Sequence, residues 1–271
     1  MSVEKMLWTA TLAEGSEADT FAQLREAWEQ SAIKVFLIRG GPADEPSMRS
    51  LYERHLADIG TAHHLAEDVT LGDRESQRSG GLWTDVRYDP NHPDAYRHSP
   101  NAQPLHTDGS YVASYPNATM MLCFAAAGEG GETIFIAADD LVDALAKEAP
   151  DLLDALDDHD LAHARSGDRR VEPVIDRSGA PTLVNWNYYC VADDVDERDA
   201  ALRERYFDFL ANSPAIRDRL LEIRMQPGDA VLWKDREVLH GRNAFSGHET
   251  SIRHLTKCAI DVGVMDEQAA R

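Results

Sequence analysis

The middle and the end of the chain break into short apolar, β-branched runs punctuated by turn residues. This pattern limits the fold more than any other feature. Leu105 to Tyr111, Met120 to Ala126, Glu132 to Ala137, Val171 to Ile175, Thr182 to Asn187, Leu221 to Met225, Ala230 to Trp233, Val238 to His240 and Ile252 to Asp261 all read as strands. Gly128-Glu129-Gly130-Gly131, the segment Arg177 to Pro181 and Pro227-Gly228-Asp229 lie between them as turns. The first of these is expected to close a hairpin between Met120–Ala126 and Glu132–Ala137. No regular strand–helix alternation and no dinucleotide-binding glycine pattern is present, so a doubly wound parallel sheet is excluded. The expected fold is mixed α/β with a mainly β core, a sandwich or jelly roll carrying flanking and inserted helices.

Helices are expected at Ser16 to Ser31, with Ser16 as N-cap and Phe21, Leu24 and Trp28 on one face, and at Pro46 to Ile59. Ile33 to Ile38 between them is β-rich and stops at Gly40-Gly41. Asp139 to Leu156 reads as helix broken at Pro150, and Asp196 to Asn212 as helix with Leu202, Tyr206, Phe209 and Leu210 buried. Residues 60 to 81 are polar and irregular, and the charged run Asp157 to Arg170 is expected to be solvated. Tyr88 to Pro104 carries four prolines and reads as a long surface loop of the kind that covers binding sites. We expect one domain over residues 1–271, with a helical preface over about 1–80 and a core over about 81–265.

The formal net charge is −21. Such a surface disfavours nucleic acid and anionic membranes as partners and leaves a small molecule as the expected one. No apolar run approaches the ~20 residues needed to cross a bilayer. The first residues, MSVEKMLWTATLAEGSEAD, lack the apolar segment of a signal peptide, so a cytoplasmic location is expected. Cys123, Cys190 and Cys258 are widely spaced and odd in number, which points to buried reduced thiols rather than to disulfides or a zinc-thiolate site.

Against this background His106-Thr107-Asp108 stands out. On an extended strand, residues two apart face the same way, so an imidazole and a carboxylate lie side by side as two ligands for a divalent metal. A third ligand is required, and His240 is the candidate. Two histidines and one carboxylate leave three positions open on an octahedral metal, the arrangement of non-haem Fe(II) oxygenases. His92-Pro93-Asp94 has the same spacing but sits in the proline-rich loop, and His159-Asp160 are adjacent residues whose side chains diverge.

Further segments accompany this set in order. They are Gly130-Gly131-Glu132-Thr133 with Phe135 and Leu141, then Pro227-Gly228-Asp229-Ala230-Val231, His240-Gly241-Arg242 and Arg253-His254-Leu255-Thr256-Lys257. Together with Leu105-His106-Thr107-Asp108 they resemble the taurine dioxygenase and clavaminate synthase superfamily of Fe(II)/2-oxoglutarate-dependent oxygenases. The resemblance spans residues 105 to 257. It implies a double-stranded β-helix (jelly roll), and His106, Asp108 and His240 as iron ligands. It also implies that Thr133 and Arg253 bind a carboxylate of the cosubstrate 2-oxoglutarate. Many members carry a second arginine where this chain has Lys257, which keeps the charge without the planar fork and is a further candidate cosubstrate contact. The implied reaction consumes O2 and 2-oxoglutarate, releases succinate and CO2, and oxidises an unactivated carbon. Asp108 argues against halogenation, since related halogenases lack this carboxylate.

A zinc hydrolase on a similar barrel would not need Thr133 or Arg253, and a non-catalytic jelly-roll binding module would hold its histidines for structure alone. Candidate substrate-lining segments are Leu82 to Tyr88, Asn91 to Gln103 and Trp186 to Asp196. The acids Asp193, Asp194, Asp196 and Glu197 either pair with a cationic substrate or simply start a helix. An amino-acid-like substrate is expected. Trp186 and Trp233 are expected to be core aromatics, and His254, on the opposite strand face from Arg253, to be structural.

Overall fold

The computed structural model describes residues 3–63, 82–89, 96–165, 167–246 and 253–263. Fifteen strands over these residues form two large sheets and two small two-stranded ones. The first large sheet contains β1 (Leu7–Thr11), β2 (Val35–Arg39), β3 (Gly60–His63), β4 (Thr84–Arg87), β6 (Ala118–Ala125), β13 (Ala230–Lys234) and β15 (His254–Val262). Its order is β1-β2-β13-β6-β15-β3, with β4 also paired to β15. The second contains β5 (Gln103–His106), β7 (Thr133–Ala137), β12 (Leu221–Ile223) and β14 (Val238–Arg242), in the order β12-β7-β14-β5.

Period-two alternation explains how the sheets stack. In β13, Val231 and Trp233 face the second sheet while Ala230 and Leu232 face the other way. In β7, Phe135 and Ala137 face the first sheet while Ile134 and Ile136 face away. The shared layer, with Met121, Cys123, Val238 and Leu255, is the central core. Helices α1 (Glu17–Trp28) and α2 (Glu45–Ile59) cover the outer face of the seven-stranded sheet through Phe21, Leu24, Met48 and Tyr52. Helices α3 (Ala138–Glu148), α4 (Pro150–Asp158), α5 (Glu197–Asn212) and α6 (Pro214–Arg217) cover the four-stranded sheet through Leu141, Leu145, Leu153 and Tyr206. Both faces of the central strands are therefore buried, which is why those strands read as nearly unbroken apolar runs. Among the described residues no helix is long and apolar enough to cross a membrane.

Helix starts follow local chemistry. Asp44 and Asp196 accept the backbone N–H groups of Ser47 and Asp199 as N-caps. Ser16 does not cap its helix; its hydroxyl turns back to the Ala13 carbonyl instead. Asp194 pairs with Arg169, and Asp196 and Glu197 serve the start of α5, so this acidic group has structural work of its own. Trp186 and Trp233 are fully buried, as are all three cysteines, which are free.

Three further expectations need correction. Gly128 to Gly131 does not close a hairpin: β6 and β7 lie in different sheets, and the turn carries the chain from one layer to the other. Gly130 and Gly131 both adopt positive φ there, and a Cβ at Gly130 would collide with the Ala244 carbonyl. The run Asp157 to Arg170 is not a solvated stretch. It supplies β8 (Asp160–Arg165) and the start of β9 (Asp168–Pro173), a paired ribbon whose Leu161 and His163 are fully buried under charged neighbours. The strand expected over Leu105 to Tyr111 ends at His106, because Thr107 leaves the sheet to pair with Trp186. His92-Pro93-Asp94, most of the irregular segment 60–81 and part of the proline-rich loop lie outside the described residues.

Candidate metal centre

The site lies between the two large sheets at one end of the central core. His106 closes β5 and His240 lies directly opposite it on β14, so the antiparallel register makes the two imidazoles cross-strand neighbours. Their ring centroids are 4.2 Å apart, and Trp233 from the other sheet packs against His240 at 4.7 Å. Asp108 follows in a turn. The Thr107 N–H donates to the Trp186 carbonyl at 2.7 Å, and the Trp186 N–H donates back to Thr107 Oγ1 at 3.0 Å. Gly109 then takes φ +59°, and the Tyr115 ring fills the space where a side chain would stand. This two-point anchor and the glycine turn, rather than strand alternation, aim the carboxylate at the histidines.

One donor atom from each of His106, Asp108 and His240 lies within 4.8 Å of the other two. His106 Nδ1 donates to the Pro104 carbonyl at 2.8 Å, which fixes the tautomer and leaves the Nε2 lone pair facing the cluster. Burial lowers the pKa of His106, and burial together with the neighbouring His106 lowers that of His240 further, so both rings are neutral. Burial works to raise the Asp108 carboxyl. The Lys257 ammonium, in contact with both oxygens, outweighs it and holds the group well below the usual carboxylate range. Two neutral nitrogen donors and one anionic oxygen converging in a buried cleft suit a divalent cation. The residues present therefore fit iron.

Lys257 and Arg253 approach from the seven-stranded sheet but reach different places. Lys257 Nζ donates to both oxygens of Asp108 at 2.8 Å. Arg253 precedes β15 and is 4% exposed, yet among the described residues its guanidinium has no hydrogen bond or ion pair. It stands over Phe245 beside Arg242, and burial followed by the Arg242 charge brings its pKa down to about 9. A small cleft lined by Gly130, Gly131, Arg224 and Arg253 opens there, a positive pocket on a chain of charge −21. Thr133 begins β7 and is buried in the opposite sheet, where its cross-strand partner is Arg242. Arg242 secures the approach to the site. It donates to the Ser99 and Asn101 carbonyls at 2.8 and 2.6 Å, tying down the segment that leads into β5. His254 faces away from the site toward Glu45, Asp85 and Phe124.

Thr119 and Asp235, which no sequence pattern singled out, also stand at this site, beside Gln103 from the end of the expected lining segment Asn91 to Gln103. Gln103 reaches His106, Thr119 Oγ1 lies 3.5 Å from Asp108 Oδ2, and Asp235 is a buried carboxyl close to the cluster. Burial and then the Asp108 charge push the Asp235 carboxyl well above its ordinary pKa. Only Gln103 carried a sequence signal, namely a proline immediately after it inside a strand, which marks a bulge or an edge.

The profile of the family "Taurine catabolism dioxygenase TauD, TfdA family" matches residues 7–259. The chain belongs to this family. No curated protein matches it in sequence. Among solved structures it is similar to an asparagine oxygenase bound to Fe(II), 3-hydroxyasparagine and succinate, at TM-score 0.67 and 16% identity over 94% of this chain and 81% of that one. PvcB from Pseudomonas aeruginosa matches at TM-score 0.62 and 18% identity, covering 94% and 86%. The iron oxygenase OrfP, bound to Fe, succinate and (3S)-hydroxy-L-Arg, matches at TM-score 0.63 and 13% identity, covering 96% and 84%. At such identities the structural likeness speaks for the fold, and the family match for the chemistry. The TauD/TfdA chain described here is an Fe(II)- and 2-oxoglutarate-dependent dioxygenase that uses O2, which sets aside the zinc hydrolase and the passive binding module.

Proposed function

We propose that this enzyme hydroxylates an unactivated carbon of a small amino-acid-like molecule, with His106, Asp108 and His240 holding iron. Arg253 and Thr133 hold the distal carboxylate of 2-oxoglutarate, and Lys257 serves the metal end of the site. The observation that carries the reading is the pairing of a buried His106–Asp108–His240 cluster with a buried Arg253 guanidinium that has no acceptor among the described residues. A desolvated guanidinium without a carboxylate is costly, and a bidentate carboxylate ligand relieves that cost. The neighbours support the substrate class, since the asparagine oxygenase and OrfP structures contain hydroxylated amino acids.

When bound, iron supplies the oxidising power for C–H cleavage, using O2 and the electrons released by 2-oxoglutarate decarboxylation. The protein's own residues do the rest. His106 is held in one tautomer by Pro104, Asp108 is kept ionised by Lys257, and Arg253 fixes one end of the cosubstrate far from the metal. The central core behind the site, with Trp233 and Phe135, excludes water from that side. Winding supports the double-stranded β-helix reading: β5, β6, β7 and again β12, β13, β14, β15 alternate between the two sheets. We read residues 1–271 as one domain built around this core, acting in the cytoplasm.

The test is anaerobic addition of Fe(II) and 2-oxoglutarate, followed by a search for a visible metal-to-ligand charge-transfer band and for succinate once oxygen is admitted. Absence of both would sink the reading. Asp108→Ala should abolish the band. Arg253→Gln should weaken 2-oxoglutarate binding by roughly 10- to 100-fold, and Lys257→Gln by less.

A further inference from the structure

Gln103 and His106 are three residues apart, so on a regular strand they would point to opposite faces. They do not. The register pairs His240 with His106 but Arg242 with Gln103, so two steps on β14 span three on β5. The extra residue is a β-bulge at Pro104-Leu105, and bulges of this kind re-aim a side chain. Proline suits the position because it has no N–H to leave unpaired. Leu105 still packs into the core on the helix side, while Gln103 is turned to the same side as His106. Its amide Nε2 stands 3.3 Å from His106 Nε2. Since His106 Nδ1 donates to Pro104, Nε2 is the acceptor and the Gln103 amide is the donor.

The approach is fixed in place. Arg242 clamps the Ser99 and Asn101 carbonyls, and Phe245 N–H donates to the Pro100 carbonyl. Gly241 lies against the Gln103 carbonyl, where a Cβ would come within 2.7 Å. The carboxamide is thus held at about the separation of two adjacent ligands on one metal, although amides are weak ligands for iron beside imidazole and carboxylate.

We propose that Gln103 is a positioning residue for the cosubstrate: with His106 committed to iron, its N–H donates to the 2-oxo-acid end of 2-oxoglutarate beside His106. Arg253 and Thr133 hold the far end, so the cosubstrate is gripped at both ends by groups of fixed geometry. This rests on the function proposed above.

The test compares wild type, Gln103→Met, Gln103→Glu and Arg253→Gln. Metal affinity is measured by calorimetry with Co(II), and 2-oxoglutarate affinity by the anaerobic Fe(II) charge-transfer band. Gln103→Met should keep Co(II) affinity within about twofold, weaken 2-oxoglutarate about tenfold and shift the band maximum. Gln103→Glu, which sets an anion against the cosubstrate carboxylate, should weaken 2-oxoglutarate more than the Met variant while retaining the metal. Arg253→Gln should weaken binding without moving the band maximum, because it acts at the distal end. An unchanged affinity and band in Gln103→Met would overturn the proposal. So would a tenfold loss of Co(II) affinity, which would make Gln103 a metal ligand. A wild-type protein that shows no band fails the functional reading instead, so the two failures are distinct.

Discussion

At the scale of single residues, the site depends on positions where nothing larger than glycine fits. Gly131 adopts φ +76°, and a Cβ there would lie 3.3 Å from Arg253 Cδ and Nε. Gly131→Ala therefore combines backbone strain with pressure on the guanidinium. We expect it to raise the Kd for 2-oxoglutarate about tenfold while leaving Co(II) affinity unchanged, as titration calorimetry would read. The three residues that the structure brings together, His106, Asp108 and His240, were singled out in the sequence, and on the proposed assignment Thr133 and Arg253 join them. Their contacts were less legible there. Lys257 shares a strand face with Arg253, as expected for residues four apart, but four residues of strand also separate them by roughly 13 Å. That spacing puts Lys257 on Asp108 instead of beside Arg253. Distance along the strand, rather than facing, decided what it touches.

At the scale of elements, β14 is the strand on which the centre is built. It pairs with β5 on one side and β7 on the other, so His240 sits beside His106 while Arg242 lies between Gln103 and Thr133. Gly241 lets β5 approach closely, with the Gln103 carbonyl and the Leu105 N–H both near its missing Cβ. Gly241→Ala should push β5 outward and separate the two imidazoles. Co(II) affinity is expected to drop at least tenfold, at a stability cost of about 1–3 kcal/mol by urea denaturation. Loss of stability without loss of metal affinity would mean that β5 moves as a unit with its partner. Strands and helices were largely readable, because a central strand such as β7 is an unbroken apolar run and the buried residues of α5 recur at helical spacing. The partner of each strand was not. A glycine turn between two strands looks the same whether the chain folds back within a sheet or crosses to another, and Gly128 to Gly131 does the latter.

At the scale of the whole molecule, the two sheets, the outer helices and the β8–β9 ribbon bury polar groups that respond to pH. His163 is fully buried against Trp186, and burial, reinforced weakly by Arg170, pulls its pKa down to about 4. A depressed histidine stabilises the fold fully above its unfolded value of about 6.5. That contribution is lost as pH falls from there toward 4, because the unfolded chain then binds the extra proton. His163→Gln should flatten this dependence, removing at most about 3 kcal/mol of the decline between pH 7 and 4. Equal slopes for the two proteins in urea titrations would show that another group dominates. This histidine was hidden inside a run that looked solvated, since its neighbours in sequence are charged and only the paired ribbon reveals its inward side.

The placement of the site between layers has a thermal corollary. On the proposed assignment the metal's histidines and Thr133 belong to one sheet, while the lysine facing Asp108 belongs to a strand of the other and Arg253 immediately precedes that strand. A bound keto acid would then act as a rivet through both plates of the core. Melting would require its release, so the midpoint should climb with the logarithm of its concentration, by about 2.7 kcal/mol of added stability at a hundred times Kd. Differential scanning calorimetry under nitrogen would register this climb for metal plus 2-oxoglutarate. A keto acid lacking the distal carboxylate should raise the midpoint less at equal concentration, since it engages only one plate.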